Sequence, residues 1–250
     1  MVSTDFKLRY QGSILGYMWT LLKPLLMFTI LYLVFVRLLR ISANVPNPAI
    51  YLLFGLVIWY FFGEVTSTGL SSLVGRADLL RKIHFPRYVV VLSVTGSALI
   101  SFGLNMVVIV LFMILAQVPV GPQILWLIPL FIELLVLSIA CAFFLSGLYV
   151  RYRDVSYIWE VVLQAAFYAT PILYPLSLLP TRYAKLALLN PMAQIIQDAR
   201  WALVTTQTQT MSQLYGSFWA RLIPIGIVLV LAIGSVWYFR RRSPTFAEEA

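Results

Sequence analysis

Six long apolar stretches, all but the last two joined by short connections, leave this chain few ways to fold. They run over residues 21–39, 50–73, 88–117, 124–150, 157–179 and 221–239. A helix rises ~1.5 Å per residue, so ~20 apolar residues cover the ~30 Å hydrocarbon core. Inside lipid every backbone donor and acceptor must be satisfied internally, which a helix does by itself. The pattern predicts an all-α polytopic membrane protein with six transmembrane helices. Composition agrees: 61% of residues are hydrophobic, 11% are charged and the mean hydropathy is +0.90. Soluble domains carry ~25% charged residues. A soluble enzyme, a disordered chain and a disulfide-rich secreted module are therefore excluded. The single cysteine, Cys141, lies inside an apolar run and allows no intrachain disulfide.

Charge orients the spans. The net charge is +9, from 18 Lys+Arg against 9 Asp+Glu. With the N-terminus inside, twelve basic residues fall on cytoplasmic pieces: Lys7, Arg9, Lys23, Arg76, Arg81, Lys82, Arg87, Arg151, Arg153, Arg240, Arg241 and Arg242. Six fall outside: Arg37, Arg40, Arg182, Lys185, Arg200 and Arg221. This asymmetry places both termini in the cytoplasm and accounts for the basic balance without nucleic acid. The first twenty residues carry Asp5, Lys7 and Arg9 and lack an apolar run ahead of a cleavage site, so no signal peptide is expected.

Three segments are neither simple spans nor simple loops. Phe6, Tyr10 and Ile14 lie four apart, as on one face of an amphipathic helix in the inner interface. Residues 75–87, GRADLLRKIHFPR, are basic yet hold Leu79, Leu80, Ile83 and Phe85. A loop that only had to be solvated needs no such residues, so a short helix that packs on something is expected, ended by Pro86. The segment from 171 to 217 begins with prolines at 171, 175 and 180 inside an apolar run. Proline donates no backbone hydrogen bond, so the chain should break into short helices, a re-entrant hairpin near the outer surface. The division expected is 1–20 interface helix, 21–179 spans one to five, 180–220 outer re-entrant region, and 221–250 last span and tail.

No phosphate loop GxxxxGK[ST], no HExxH, no GxSxG and no zinc-ligand spacing occurs. The lone histidine, His84, sits in the basic loop without a visible catalytic partner. The chain is not read as an enzyme, and it is expected to hold no metal or cofactor. Glu64, Glu133 and Glu160 fall within apolar segments, where an acid faces protein or water. A proton-coupled carrier could use them, although no intramembrane lysine or histidine partners them. The aromatics have two readings. Tyr32, Trp59, Tyr60, Phe62, Phe167, Tyr168 and Tyr174 could line a channel suited to the CH-rich faces of sugars, or they could pack against lipid and neighbouring helices.

Four blocks carry a family resemblance: DFKLRYQGSILGYMWTLLKPLL at 5–26, GLVIWYFFGEVTSTGLSSLVGRADLLRKIHFPR at 55–87, GLYVRYRDVSYIWEVVLQAAFYATPILYP at 147–175 and LLNPMAQIIQDARWALV at 188–204. In this order and spacing they resemble the membrane subunit of a type-2 ABC exporter, in the branch that exports O-antigen, teichoic acid and capsule-like glycans. Arg76, Asp78 and Gln11 depart from residues common in that family.

The resemblance implies a homodimer of this subunit with two copies of a separate ATPase, which would hold ATP and Mg. It implies a lipid-linked glycan as substrate and the bacterial plasma membrane as location. It assigns ATPase coupling to Asp5, Arg9, Leu79, Arg81, Lys82, His84, Phe85, Arg87, Arg151, Arg153 and Asp154. It has the first and fifth spans of two copies line the channel. Two other readings compete: an exporter of this type for a small hydrophobic compound, and a proton-coupled carrier without an ATPase.

Overall fold

A computed structural model of the chain describes residues 16–41, 45–76 and 86–242, with Tyr17 and Arg76 by backbone alone. Every regular element among these residues is helical. The α-helices are α1 (Trp19–Leu31), α2 (Pro48–Ser72), α3 (Arg87–Leu115), α4 (Leu127–Arg151), α5 (Val155–Ala169), α6 (Thr181–Leu188), α7 (Pro191–Leu203), α8 (Met211–Tyr215) and α9 (Leu222–Arg242).

Local chemistry sets these boundaries. Pro48 opens α2, where its missing N–H is not needed, and Asn47 turns the chain into it at a left-handed φ of 52°. Pro86 stands directly in front of α3. Gln117, at φ 51°, turns the chain out of α3. Hydroxyls inside the bundle fold back on their own helices: Thr66 donates to the Phe62 carbonyl at 2.8 Å and Ser138 to that of Leu134 at 2.7 Å. Each of these two donors is thereby satisfied within its own helix.

Among the described residues, five stretches are long and apolar enough to cross a membrane: Trp19–Leu38, Pro48–Ser72, Arg87–Leu115, Pro122–Arg151 and Phe218–Arg242. The first combines α1 with a π-helical continuation, Tyr32–Leu38. The third runs as one unbroken helix. The expected fifth span, 157–179, is not a helix of that length. It is α5, of 15 residues, which covers only ~22 Å at ~1.5 Å per residue. It stops because Pro171 forces Thr170 into an extended conformation, ψ 135°.

The core is built on α2. It packs against α1, α3, α4, α5 and α7, and Leu52, Leu53, Phe54, Leu56 and Ile58 are fully buried along it. Gly69 allows α4 to approach, since a Cβ there would sit 2.7 Å from that of Ala142. Helix α9 lies along α4 in the same direction, with Trp126 against Phe218 at one end and Phe143 against Phe239 at the other.

The bundle therefore has two distinct ends. One, the basic end, holds Arg87 at the start of α3, Arg151 at the end of α4, and Arg240, Arg241 and Arg242 at the end of α9. At the other, α6, α7 and α8 pack together over the start of α2.

Candidate transport face and docking surface

Breaking the chain at Pro171 frees backbone carbonyls inside the protein, and one side chain collects them. Arg200, on α7, is 0% exposed. Its Nη1 donates to the Pro171 carbonyl at 2.8 Å, its Nη2 to Ile172 at 2.7 Å and its Nε to Tyr51 at 3.0 Å. Gln197, one turn earlier, also donates to Pro171, at 3.1 Å. Burial pulls the Arg200 pKa down, and Tyr51 opposes that shift. Asn190 caps α7 by accepting from the Met192 N–H at 3.0 Å. The segment expected to break at its prolines does so, into the short helices α6 to α8, of which α7 packs on α2.

A cleft of about 440 Å³ opens between α1, α2 and α3. Trp19, Trp59 and Tyr60 give it aromatic surface; Lys23, Glu64, Ser101 and Asn105 give it polar groups. Asn105 donates to the Ser101 carbonyl at 2.8 Å and to that of Thr20, on α1, at 3.4 Å. Lys23 therefore sits partway along the bundle, across a cleft from Glu64. Trp19, Lys23 and Asn105 were not among the sequence-derived site residues. The available signal was polarity inside an apolar run, which marks Lys23 and Asn105 but not Trp19.

The seven aromatics named from sequence fall into different environments. Trp59 and Phe62 are each 6% exposed. They form a seam between α2 and α5, with ring centroids 5.8 Å from Trp59 to Phe167 and 6.2 Å from Phe62 to Trp159. The Trp159 indole also donates to the Thr66 hydroxyl at 3.2 Å. Tyr60 borders the cleft. Tyr32 is half-buried beside Phe28, with Arg37 5.7 Å over its ring. Tyr174 is half-buried past the end of α5, near the Tyr168 and Ala169 carbonyls. Tyr168 is 59% exposed.

That exposure belongs to a whole face of α5. No residue of α5 is buried. Trp159, Leu163 and Phe167 turn toward the core cluster, while Tyr157, Glu160, Val161, Gln164 and Tyr168 point away. This outer strip mixes aromatic, acidic and amide groups. A face meant only for lipid has no use for Glu160 and Gln164.

Of the residues expected to dock an ATPase, Asp5, Arg9, Leu79, Arg81, Lys82, His84 and Phe85 lie outside the described residues. Arg87, Arg151, Arg153 and Asp154 lie at the basic end. Arg151, Arg153 and Asp154 are exposed in the tight turn between α4 and α5. Arg151 rests 5.3 Å over the Tyr152 ring and Arg153 5.2 Å over Tyr149. Two cations at the other end are committed within the protein: Arg200 to carbonyls, and Arg221 to Asp198 at 3.2 Å. The surface charge asymmetry between the ends is thus larger than the sequence count. Among the described residues, no group of three or more His, Cys, Asp or Glu could hold a metal.

Residues 1–204 match the ABC-2 type transporter family. An O-antigen export system permease protein RfbA of Myxococcus xanthus is 31% identical over 99% of this chain and 93% of its own length. Two proteins of the same name from Klebsiella pneumoniae are 30% and 29% identical, each over 80% of this chain and 77% of the relative.

Proposed function

We propose that this chain, which belongs to the ABC-2 type transporter membrane family, is the transmembrane subunit of a polysaccharide exporter. One observation carries this reading: a relative named as an O-antigen export permease aligns from end to end, not over a shared fragment. A lipid-linked glycan of the O-antigen kind is the substrate, moved across the bacterial plasma membrane.

The energy source is a separate ATPase subunit, which holds ATP and Mg, and two copies of this chain work with two of it. The basic end faces the cytoplasm, as the positive-inside tendency favours. Arg87, Arg151, Arg153 and Asp154 belong there to the surface that receives the ATPase, together with Asp5, Arg9, Leu79, Arg81, Lys82, His84 and Phe85. Closure of the ATPase pair pushes on this end. The turn at 152–154 is only a few residues long, so a push on it reaches α5 with little slack.

The strip Tyr157–Glu160–Gln164–Tyr168 supports a path between two copies. Aromatic faces there offer stacking to sugar CH surfaces, and Glu160 and Gln164 offer acceptors and donors to hydroxyls. The seam of Trp59, Phe62 and Phe167 stands behind the strip and fixes its position.

Deletion of the gene in its host tests the function. Surface glycan should disappear while its lipid-linked precursor accumulates on the cytoplasmic side. An unchanged surface glycan, with altered sensitivity to small hydrophobic compounds, would contradict the assignment.

A further inference from the structure

Away from the path, α4, α7 and α9 enclose a second cleft, of about 300 Å³, at the small end of the range for ligand pockets. Its walls along α4 and α9 are apolar, including Ile132, Val136 and Leu229. Ile132 and Leu229 are also exposed on the bundle's outer surface, so the cleft opens sideways, toward lipid. Its floor is polar. Gln194 directs its amide nitrogen to Asp198 Oδ2 at 3.1 Å, which leaves its carbonyl oxygen turned away. That Gln194 Oε1 and the Glu133 Oε1 are buried without a hydrogen-bond partner, in residues 1% and 9% exposed. Arg221 lies 3.2 Å from Asp198 and is flanked by the Trp126 ring at 4.9 Å. Its Nε lacks a well-aligned acceptor.

An unpaired buried acceptor costs roughly 1–3 kcal/mol; the Gln194 amide is shared between Asp198 and the Glu133 carboxylate, so a donor entering the cleft would relieve both remaining oxygens. The occupant must bring N–H groups to Glu133 and Gln194, an acceptor to Arg221, and an apolar tail for Ile132, Val136 and Leu229. Two carboxylates face one guanidinium here, so a positive charge on the donor also balances the floor. Burial raises the Asp198 pKa while Arg221 draws it back.

We propose that this cleft binds a phospholipid with a primary ammonium headgroup, from the leaflet at the end opposite the basic one. The ammonium donates to Glu133 Oε1 and Gln194 Oε1, the phosphodiester meets Arg221, and an acyl chain follows the α4–α9 groove. The site does not depend on what the exporter carries. It fastens α7, and with it the Arg200 lock, to the last span.

The test uses the full-length chain in mild detergent, titrated with phosphatidylethanolamine and with phosphatidylcholine, and read by native mass spectrometry and thermal unfolding. The two lipids share the phosphodiester and tails, but only the first has N–H donors. A charged hydrogen bond to a buried acceptor sets the expected preference at ~10-fold or more for phosphatidylethanolamine. In Glu133→Gln that preference should collapse to near parity. Equal binding of both lipids by the unsubstituted chain overturns the proposal, with no variant needed. So does a preference that survives Glu133→Gln intact.

Discussion

The guanidinium of Arg200 lies 3.7 Å over the ring of Tyr51 while its Nε donates to the Tyr51 backbone carbonyl at 3.0 Å. One side chain thus grips the first turn of α2 twice, and with its other nitrogens holds the two carbonyls released at Pro171. This contact adds to the apolar burial of α7, whose Met192, Ile195, Ile196 and Leu203 lie in the core. Helix α6 buries only Ala184 and Leu188.

Replacing Arg200 by methionine should therefore destabilise the region. The carbonyls of Tyr51 and Ile172 lose their side-chain donor, while Pro171 keeps Gln197. Tyr51 keeps its helical bond within α2, so the one orphaned carbonyl, that of Ile172, sets the loss at about 1–3 kcal/mol. Unfolding in detergent should show it as a lower midpoint. An unchanged midpoint would mean that water replaces the guanidinium at no cost.

Gly55 and Arg200 should behave as one unit. A Cβ at Gly55 would stand 2.3 Å from Nη2 of a guanidinium with no room to yield. Gly55→Ala is expected to destabilise the protein in the native background and to cost much less when Arg200 is methionine. A double-mutant cycle measures that coupling. Strict additivity would show that the glycine serves something else.

Neighbouring aromatics on α5 should separate path from packing. Phe167 packs on Trp59 from a half-buried position, so Phe167→Ala should lower protein abundance and export in step, through the loss of that packing. Tyr168 points outward, and Tyr168→Ala should reduce export several-fold at normal abundance. Immunoblotting alongside a surface-glycan assay distinguishes the two. If both variants lose protein equally, the outer strip is structural.

Reversal of charge at Arg151 and Arg153 should release the ATPase. Both are exposed in the α4–α5 turn, Arg151 over the Tyr152 ring and Arg153 over that of Tyr149. The doubly reversed variant should insert normally, and its co-purifying ATPase should fall ~10-fold or more, as loss of close charge pairs at an interface produces. Retained ATPase would move the docking surface elsewhere.

Much of this was legible in the sequence. Apolar run length marked five of the six expected spans, because the bilayer fixes how long a helix must be; it failed at 157–179, where the helix ends at Ala169 ahead of Pro171. Prolines 171, 175 and 180 marked the break. What the sequence hid was the partner of that break. Arg200 reads there as one more cation outside the membrane, and only the fold carries it 149 positions back to Tyr51. Trp59 and Phe62 were hard to place for a related reason. An apolar run inside a membrane protein has no polar face to show which side is core, so buried and path-facing aromatics look alike. Glu133 stood out as an acid in a span, but its neighbours Gln194 and Asp198 come from a distant helix.

Reconstitution tests the central claim most directly. This chain and its ATPase partner are placed in liposomes that carry the lipid-linked glycan, and glycan transfer across the bilayer is followed with and without ATP. The account predicts transfer that needs both subunits and ATP hydrolysis, and that ceases when the partner is omitted. Transfer by this chain alone, driven by a proton gradient and lost on substitution of Glu64 or Glu133, would contradict it.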